Sequence, residues 1–148
     1  MKERSKKTTI GMWLFTILAA TFFVIDTRGA YFHWRELSDV WPKHSMFHAV
    51  TGLFYTQILC IMIIVMTWTL LKEGRKFGWW SAGAMGIGIH GGHVVGDFLT
   101  DRGLSDAQAA QGPGVIFFTG TIIALVLYIV AMFLTHSHVA GPAVTSDR

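Results

Sequence analysis

Four long apolar runs constrain the fold of this chain more than any other feature of its sequence. They cover residues 9–25, 46–71, 77–99 and 115–134. Each run is close to the ~20 residues that a helix needs to cross a hydrocarbon core of ~30 Å. Of the 148 residues, 52% are apolar and only 14% are charged, which excludes an ordinary soluble domain. We therefore predict an all-α fold in which residues 1–148 form one transmembrane domain, an integral membrane four-helix bundle.

The third run, 77–99, is the least apolar of the four because it contains glycines, two histidines and an aspartate. Its glycines at positions 88, 92 and 96 recur every four residues, on one face of the predicted helix. Such a ridge of small residues lets a neighbouring helix approach closely. We therefore expect this face to be the tightly packed one.

The basic residues predict the orientation in the membrane. Four crossings place both termini on the same side. A cytoplasmic N-terminus then gives eight basic residues inside and four outside, as the positive-inside rule requires. The inner set is Lys2, Arg4, Lys6, Lys7, Lys72, Arg75, Lys76 and Arg148, and the outer set is Arg28, Arg35, Lys43 and Arg102. We predict a multi-pass protein of the cell inner membrane with cytoplasmic termini, and its net charge of +3 needs no nucleic-acid partner.

Ionisable residues within the third run mark the first half of a candidate site. His90, His93, Asp97 and Asp101 fall within about an 80° arc of one helix face. Ionisable groups at membrane depth are costly, and they usually face a bundle interior or a water-filled cavity. This stripe is therefore the first place in the sequence to look for function.

The second run supplies a matching stripe. His44, His48, Thr51 and Tyr55 follow one another at spacings that place them on one helix face, and Asp26 follows the first run on the same side of the membrane. Short connections favour antiparallel neighbouring helices. We therefore expect the four histidines of both stripes to gather with Asp97, and with up to two further aspartates, Asp26 and Asp101, in the outer half of the bundle.

This set has the composition of a metal site. Imidazoles with a carboxylate suit iron, zinc, copper or manganese, and helical bundles bind metals through inward-facing side chains. The predicted ligands are His44, His48, His90, His93 and Asp97. Three of them, His48, His93 and Asp97, are also the predicted catalytic residues.

Other uses of the same residues stay open. Haem b is one, with His48 and either His90 or His93 as axial ligands. Metal-free acid–base isomerisation of a lipid is another, and proton relay is related to it. A hydrogen-bonded network that only stabilises helix packing would instead suit a non-catalytic subunit of a membrane complex.

The fourth run has only Thr119 and Thr121 as polar residues near its middle, and we expect it to close the bundle. His136 and His138 follow it and are expected in a solvated tail. We predict a small membrane enzyme or redox component, an oxidoreductase, that acts on a lipophilic substrate within the lipid bilayer. A homo-oligomer and a larger membrane complex are both open.

Overall fold

The computed structural model describes residues 5–37, 43–99 and 113–140. Within these ranges the chain forms four helices: α1 (Lys6–Leu37), α2 (Lys43–Met66), α3 (Lys76–Leu99) and α4 (Pro113–Ala140). A π-helical turn, Thr67–Leu71, continues α2. The described ranges contain no strand, so the all-α prediction is confirmed for them.

Two helices extend well beyond the C-terminal ends of the apolar runs that predicted them. Helix α1 continues from the end of the run at residue 25 to Leu37, because no proline interrupts the chain before Pro42. Helix α4 reaches Ala140 and therefore includes both terminal histidines. His138 is buried, and its Nε2 lies 3.1 Å from the Lys72 carbonyl oxygen. The expectation of a solvated tail is wrong for His138.

The helices form a bundle in which α1 and α3 lie diagonally. Helix α1 packs against α2 and α4, and α3 packs against the same two helices. We call the end where α1 begins and α4 ends the termini end. The opposite end, where α2 and α4 begin, is the loop end.

Two hydrogen bonds between side chains define the register of α1 and α2. Trp68 Nε1 donates to Thr16 Oγ1 over 2.8 Å, and Gln57 Nε2 donates to Thr27 Oγ1 over 2.8 Å. The bonded residues are eleven positions apart on both helices. The two helices therefore run antiparallel and in step, and the depth of a residue on one helix can be read from the other.

The glycines that allow close packing of α3 are not the predicted ones. A Cβ atom at Gly83 would overlap Met132, and one at Gly86 would overlap the ring of Tyr128. A Cβ at residue 88, 92 or 96 would meet no atom of the described residues within 4 Å. The predicted ridge is therefore wrong as a contact within the chain, because α4 packs on another face of α3.

Three of the helices are long and apolar enough to cross a membrane. The spans are Lys6–Gly29, Val50–Leu71 and Thr119–Ala140. Large apolar side chains such as Ile17, Ile58 and Val126 are exposed on them, as expected for surfaces that contact lipid. Helix α3 is not among the candidate spans of the described residues, because its glycines and histidines lower its hydropathy. The three spans support a membrane protein, and a crossing by α3 would be the fourth.

Candidate functional site

His90 lies at the centre of the bundle. Only 1% of its surface is exposed. Its ring centroid is 4.5 Å from that of Phe22 on α1 and 5.3 Å from that of Tyr128 on α4. Because α1 and α3 are diagonal helices, the contact between Phe22 and His90 crosses the axis of the bundle.

The polar atoms at this centre lack partners. Among the described residues, neither ring nitrogen of His90 has a hydrogen-bond partner, and the buried hydroxyl of Tyr128 has none either. Leaving a buried donor or acceptor unsatisfied costs about 1–3 kcal/mol. Buried polar groups in native proteins are nearly always satisfied by protein, water or a ligand. These atoms therefore mark a place where another molecule is expected to bind.

The carboxylate of Asp26 and the imidazole of His93 lie next to this centre, toward the loop end. The ring of Phe22 also contacts His93, with centroids 5.3 Å apart. The half-buried Asp26 follows Phe22 by one helical turn, and its carboxylate interacts electrostatically with the His93 imidazole. One carboxylate oxygen of Asp26, Oδ2, is buried without a hydrogen-bond partner. A carboxylate beside an imidazole can orient that ring and stabilise its protonated form.

Helix α2 contributes Cys60 to the polar residues at this centre. It is 1% exposed and lies close enough to Asp26 and to Tyr128 for the charged forms of these groups to influence one another. All four helices therefore contribute to one group of polar residues inside the bundle. We call this group the polar core cluster; it consists of Asp26, Cys60, His90, His93 and Tyr128.

The structure brings together only part of the predicted site. His90 and His93 share the contact with Phe22. His48 is exposed, and its ring packs against that of Phe47, with centroids 5.5 Å apart. The stripe on α2 thus faces away from the bundle axis at His48. His44 and Asp97 lie on α2 and α3, and their side chains fall outside the described residues.

Contacts between helices define the depth of His93 in the bundle. His93 contacts Phe22 of α1, and the register of α1 and α2 places Phe22 opposite residue 62 of α2. His48 precedes residue 62 by fourteen positions, so it lies nearer the loop end than His93 does. The sequence spacing predicted a shared face on each helix, but it did not define the depth of either histidine.

Among the described residues, no three histidine, cysteine, aspartate or glutamate side chains are placed to hold a metal ion. The side chains of His44 and Asp97, two members of the predicted ligand set, lie outside the described residues. The predicted metal site and the predicted catalytic roles of His48, His93 and Asp97 therefore stay predictions.

Sequence reasoning missed the role of Tyr128. Helix α4 was expected only to close the bundle, yet its tyrosine is fully buried against His90. The available signal was a tyrosine in the middle of an apolar run, because a buried tyrosine hydroxyl usually needs a partner. Cys60 gave no comparable signal, since a buried cysteine usually packs as a small apolar residue.

Comparison of the chain with protein-family models, with curated proteins and with solved structures found no match.

Proposed function

We propose that this chain is a small integral membrane enzyme that performs acid–base chemistry on a lipophilic substrate at the polar core cluster. The observation that carries this proposal is His90, which is buried on the bundle axis with both ring nitrogens unpartnered. Unpaired ionisable residues within membrane bundles are costly, and they are retained mainly for function.

In this proposal all four helices lie in the membrane. Helix α3 packs between α2 and α4, and it need not be as apolar as a helix that lipid surrounds. The positive-inside rule then places the termini end in the cytoplasm and the loop end outside. The inner membrane of the cell is the corresponding location.

The residues divide into two pairs. Asp26 and His93 serve the proton transfer, and His90 and Tyr128 donate hydrogen bonds to the substrate. His93, oriented by Asp26, removes a proton from a substrate C–H group and later returns one, as a general base and then a general acid. Tyr128 and the N–H group of His90 are the free donors that hold a substrate oxygen atom. A substrate that loses and regains a proton in this way leaves as an isomer with the same atoms.

The surroundings of the cluster favour a lipophilic substrate. Aromatic rings of Phe22 and Phe15 flank the two donors. The outer faces of the spanning helices carry exposed apolar side chains, so a molecule dissolved in the bilayer contacts the bundle directly.

Deuterium incorporation tests the proposal even while the substrate is unidentified. Protein in vesicles is incubated with a total lipid extract in D₂O, and the lipids are analysed by mass spectrometry. An enzyme that removes and returns a proton places solvent deuterium on a carbon of its substrate. We expect one lipid class to gain deuterium with the native protein. The rate should fall by about 10²–10⁴-fold in His93→Gln, the usual contribution of a general acid–base group.

The matched control is His136→Gln. His136 is exposed at the termini end and packs against Trp79, with ring centroids 5.5 Å apart. This variant has the same chemical change far from the cluster and should retain the native rate. Equal rates in the native protein and in folded His93→Gln would overturn the proposal.

A redox or metal-dependent enzyme is the second candidate. It is favoured by the same unpartnered nitrogens of His90, because a neutral imidazole nitrogen is a common metal ligand. Elemental analysis and an absorption spectrum of purified protein test this candidate, with His48→Ala and His93→Ala as separate variants. Stoichiometric iron, zinc, copper or manganese that either variant loses would support the predicted metal site, and a Soret band would indicate haem b. Folded protein that lacks metal, colour and deuterium transfer, and that purifies with other proteins, would instead be a non-catalytic subunit.

A further inference from the structure

Buried polar atoms without partners occur at several depths of the bundle. Besides the atoms of Asp26, His90 and Tyr128, the hydroxyl of Thr67 is buried and unpartnered. The register of α1 and α2 places Thr67 opposite residue 17 of α1. The ring of Tyr128 contacts Phe15, with centroids 5.8 Å apart. Thr67 and Tyr128 therefore lie at about the same depth.

Asp26 is the unpartnered residue nearest the loop end, and Thr67 and Tyr128 are the deepest ones. Along α1 it is nine positions from residue 17, which corresponds to about 13 Å toward the loop end. It is also only three positions from Gly29, where the candidate span of α1 ends. His90 and Cys60 lie between these limits. The unpartnered groups thus extend from the loop-end edge of the span to the middle of the bundle.

Polar side chains nearer the termini end differ in having partners. Thr135 donates to the carbonyl oxygen of Ala131 over 2.8 Å. Thr8 shares a hydrogen bond of 2.9 Å with Ser5, and His138 contacts the Lys72 carbonyl oxygen. Between these residues and the cluster lie fully buried apolar side chains, namely Met12, Phe15, Leu71 and Ala131. The unsatisfied polar atoms of the described residues are therefore confined to one half of the bundle.

We propose that the unpartnered groups from Asp26 to Thr67 line a one-sided aqueous path, through which water and protons reach the cluster from the loop end. Water binds where it can satisfy several buried polar groups, and each group left unsatisfied would cost about 1–3 kcal/mol. This inference rests on the proposed function, because it states which face supplies the protons that the site exchanges. The apolar layer on the termini side closes the path.

Cys60 is a native reporter for this path, because it is the only cysteine of the chain and the register of α1 and α2 places it opposite residue 24, between the two limits of the series. Silver ions are small, and they react with a thiol by displacing its proton, which blocks later alkylation. The ions are applied to one face of protein in vesicles and then removed. The remaining free thiol is measured by alkylation after denaturation.

We expect silver added at the loop-end face to block Cys60 about tenfold faster than silver added at the termini face, because an ion crosses an apolar layer only at a large desolvation cost. The orientation of the protein in the vesicles is established with Lys43→Cys and Ser5→Cys in a Cys60→Ser background. These exposed residues begin α2 and precede α1.

Two variants show whether the reaction depends on the path. Ile61→Cys in the Cys60→Ser background places the thiol on the exposed apolar surface one residue away, and it should resist silver from either face. Asp26→Leu removes the carboxylate at the mouth of the path and should slow the reaction of Cys60 by about tenfold, because the first polar group is lost. Circular dichroism and gel filtration identify variants that have not folded.

The proposal is overturned if Cys60 resists silver from both faces, or if it reacts at least as fast from the termini face. Silver reaction does not depend on turnover, so the two proposals fail separately. One-sided reaction without deuterium transfer would retain the path and reject the enzyme. Deuterium transfer with an inaccessible Cys60 would retain the enzyme and reject the path.

Discussion

The ring and the hydroxyl of Tyr128 have different surroundings, so their contributions can be separated. Its ring packs against Phe15 and His90 and lies directly over the backbone of Gly86. Its hydroxyl, by contrast, has no hydrogen-bond partner in the part of the chain that the structure describes. The ring therefore belongs to the packing of the bundle, and the hydroxyl is available for substrate or water.

The substitution Tyr128→Phe tests this separation. Since the ring remains and only an unpartnered hydroxyl is removed, the free energy of unfolding should stay the same or rise by up to about 3 kcal/mol, the cost of an unsatisfied buried group. Deuterium incorporation should fall by about tenfold or more, because a donor to the substrate is lost. Thermal unfolding in detergent and the deuterium assay measure the two effects. A native rate of incorporation in this variant would show that the hydroxyl takes no part in the reaction.

Trp68 and Thr16 form a second residue pair whose contribution can be measured. The indole N–H donates to the threonine hydroxyl, which in turn donates to the Met12 carbonyl oxygen over 3.0 Å. Hydrogen bonds between membrane helices contribute about 0.6 kcal/mol on average and rarely more than about 1.7 kcal/mol. A double-mutant cycle with Trp68→Phe and Thr16→Val should give a coupling energy in this range. Additive effects of the two substitutions would contradict the hydrogen bond and the register that it defines.

At the scale of the element, α3 presents two different glycine faces. Gly83 and Gly86 allow Met132 and Tyr128 of α4 to approach its backbone. Gly88 and Gly92 are exposed, and an added Cβ would contact no atom of the described residues within 4 Å. Their spacing is typical of a packing ridge, but spacing does not show which face a neighbouring helix occupies.

Alanine substitutions distinguish these faces. In Gly86→Ala the new methyl group overlaps the ring of Tyr128, and overpacking of this kind costs about 1–3 kcal/mol. In Gly88→Ala the methyl group has open space, and the better helix propensity of alanine should leave the stability equal or higher by up to about 1 kcal/mol. Comparison of the two melting temperatures in the same detergent measures the difference. Equal destabilisation by both substitutions would show that Gly88 is also a packing position.

The candidate site was predictable from the sequence only within single helices. His90 and His93 could be identified because histidines in an apolar run are rare and share one face. The expected meeting of His48 with His93 depended on the depth of each helix, and that depth follows from contacts such as Phe22 with His93. Asp26 was expected at the end of a helix, whereas α1 continues past it to Leu37. Side-chain packing between helices determines the depths of these residues. The periodicity of a single helix carries no information about that packing.

At the scale of the whole molecule, the number of crossings depends on α3. The four apolar runs predicted the four helices, and three of these meet the length and composition of a membrane span. If α3 also crosses the membrane, both termini are on one side. If α3 does not cross, the remaining three crossings place the termini on opposite sides.

Single cysteines decide between these topologies. Ser5→Cys and Ser137→Cys, each in a Cys60→Ser background, place thiols at exposed positions at the beginning of α1 and near the end of α4. We expect a membrane-impermeant maleimide to label both from the same side, and Lys43→Cys from the other side. Labelling of residues 5 and 137 from opposite sides would remove α3 from the membrane and contradict the proposed topology.

The central claim is that His93, oriented by Asp26, transfers protons inside this bundle, and the most direct measurement is the deuterium incorporation rate of Asp26→Asn. Asparagine has nearly the same shape but lacks the charged carboxylate that orients His93, so the rate should fall by about 10²-fold or more. Glu73→Gln makes the same chemical change at an exposed carboxylate whose oxygen lies 2.9 Å from Arg75 Nε, and this control should retain the native rate. A folded Asp26→Asn protein that transfers deuterium as fast as the Glu73→Gln control would contradict the account.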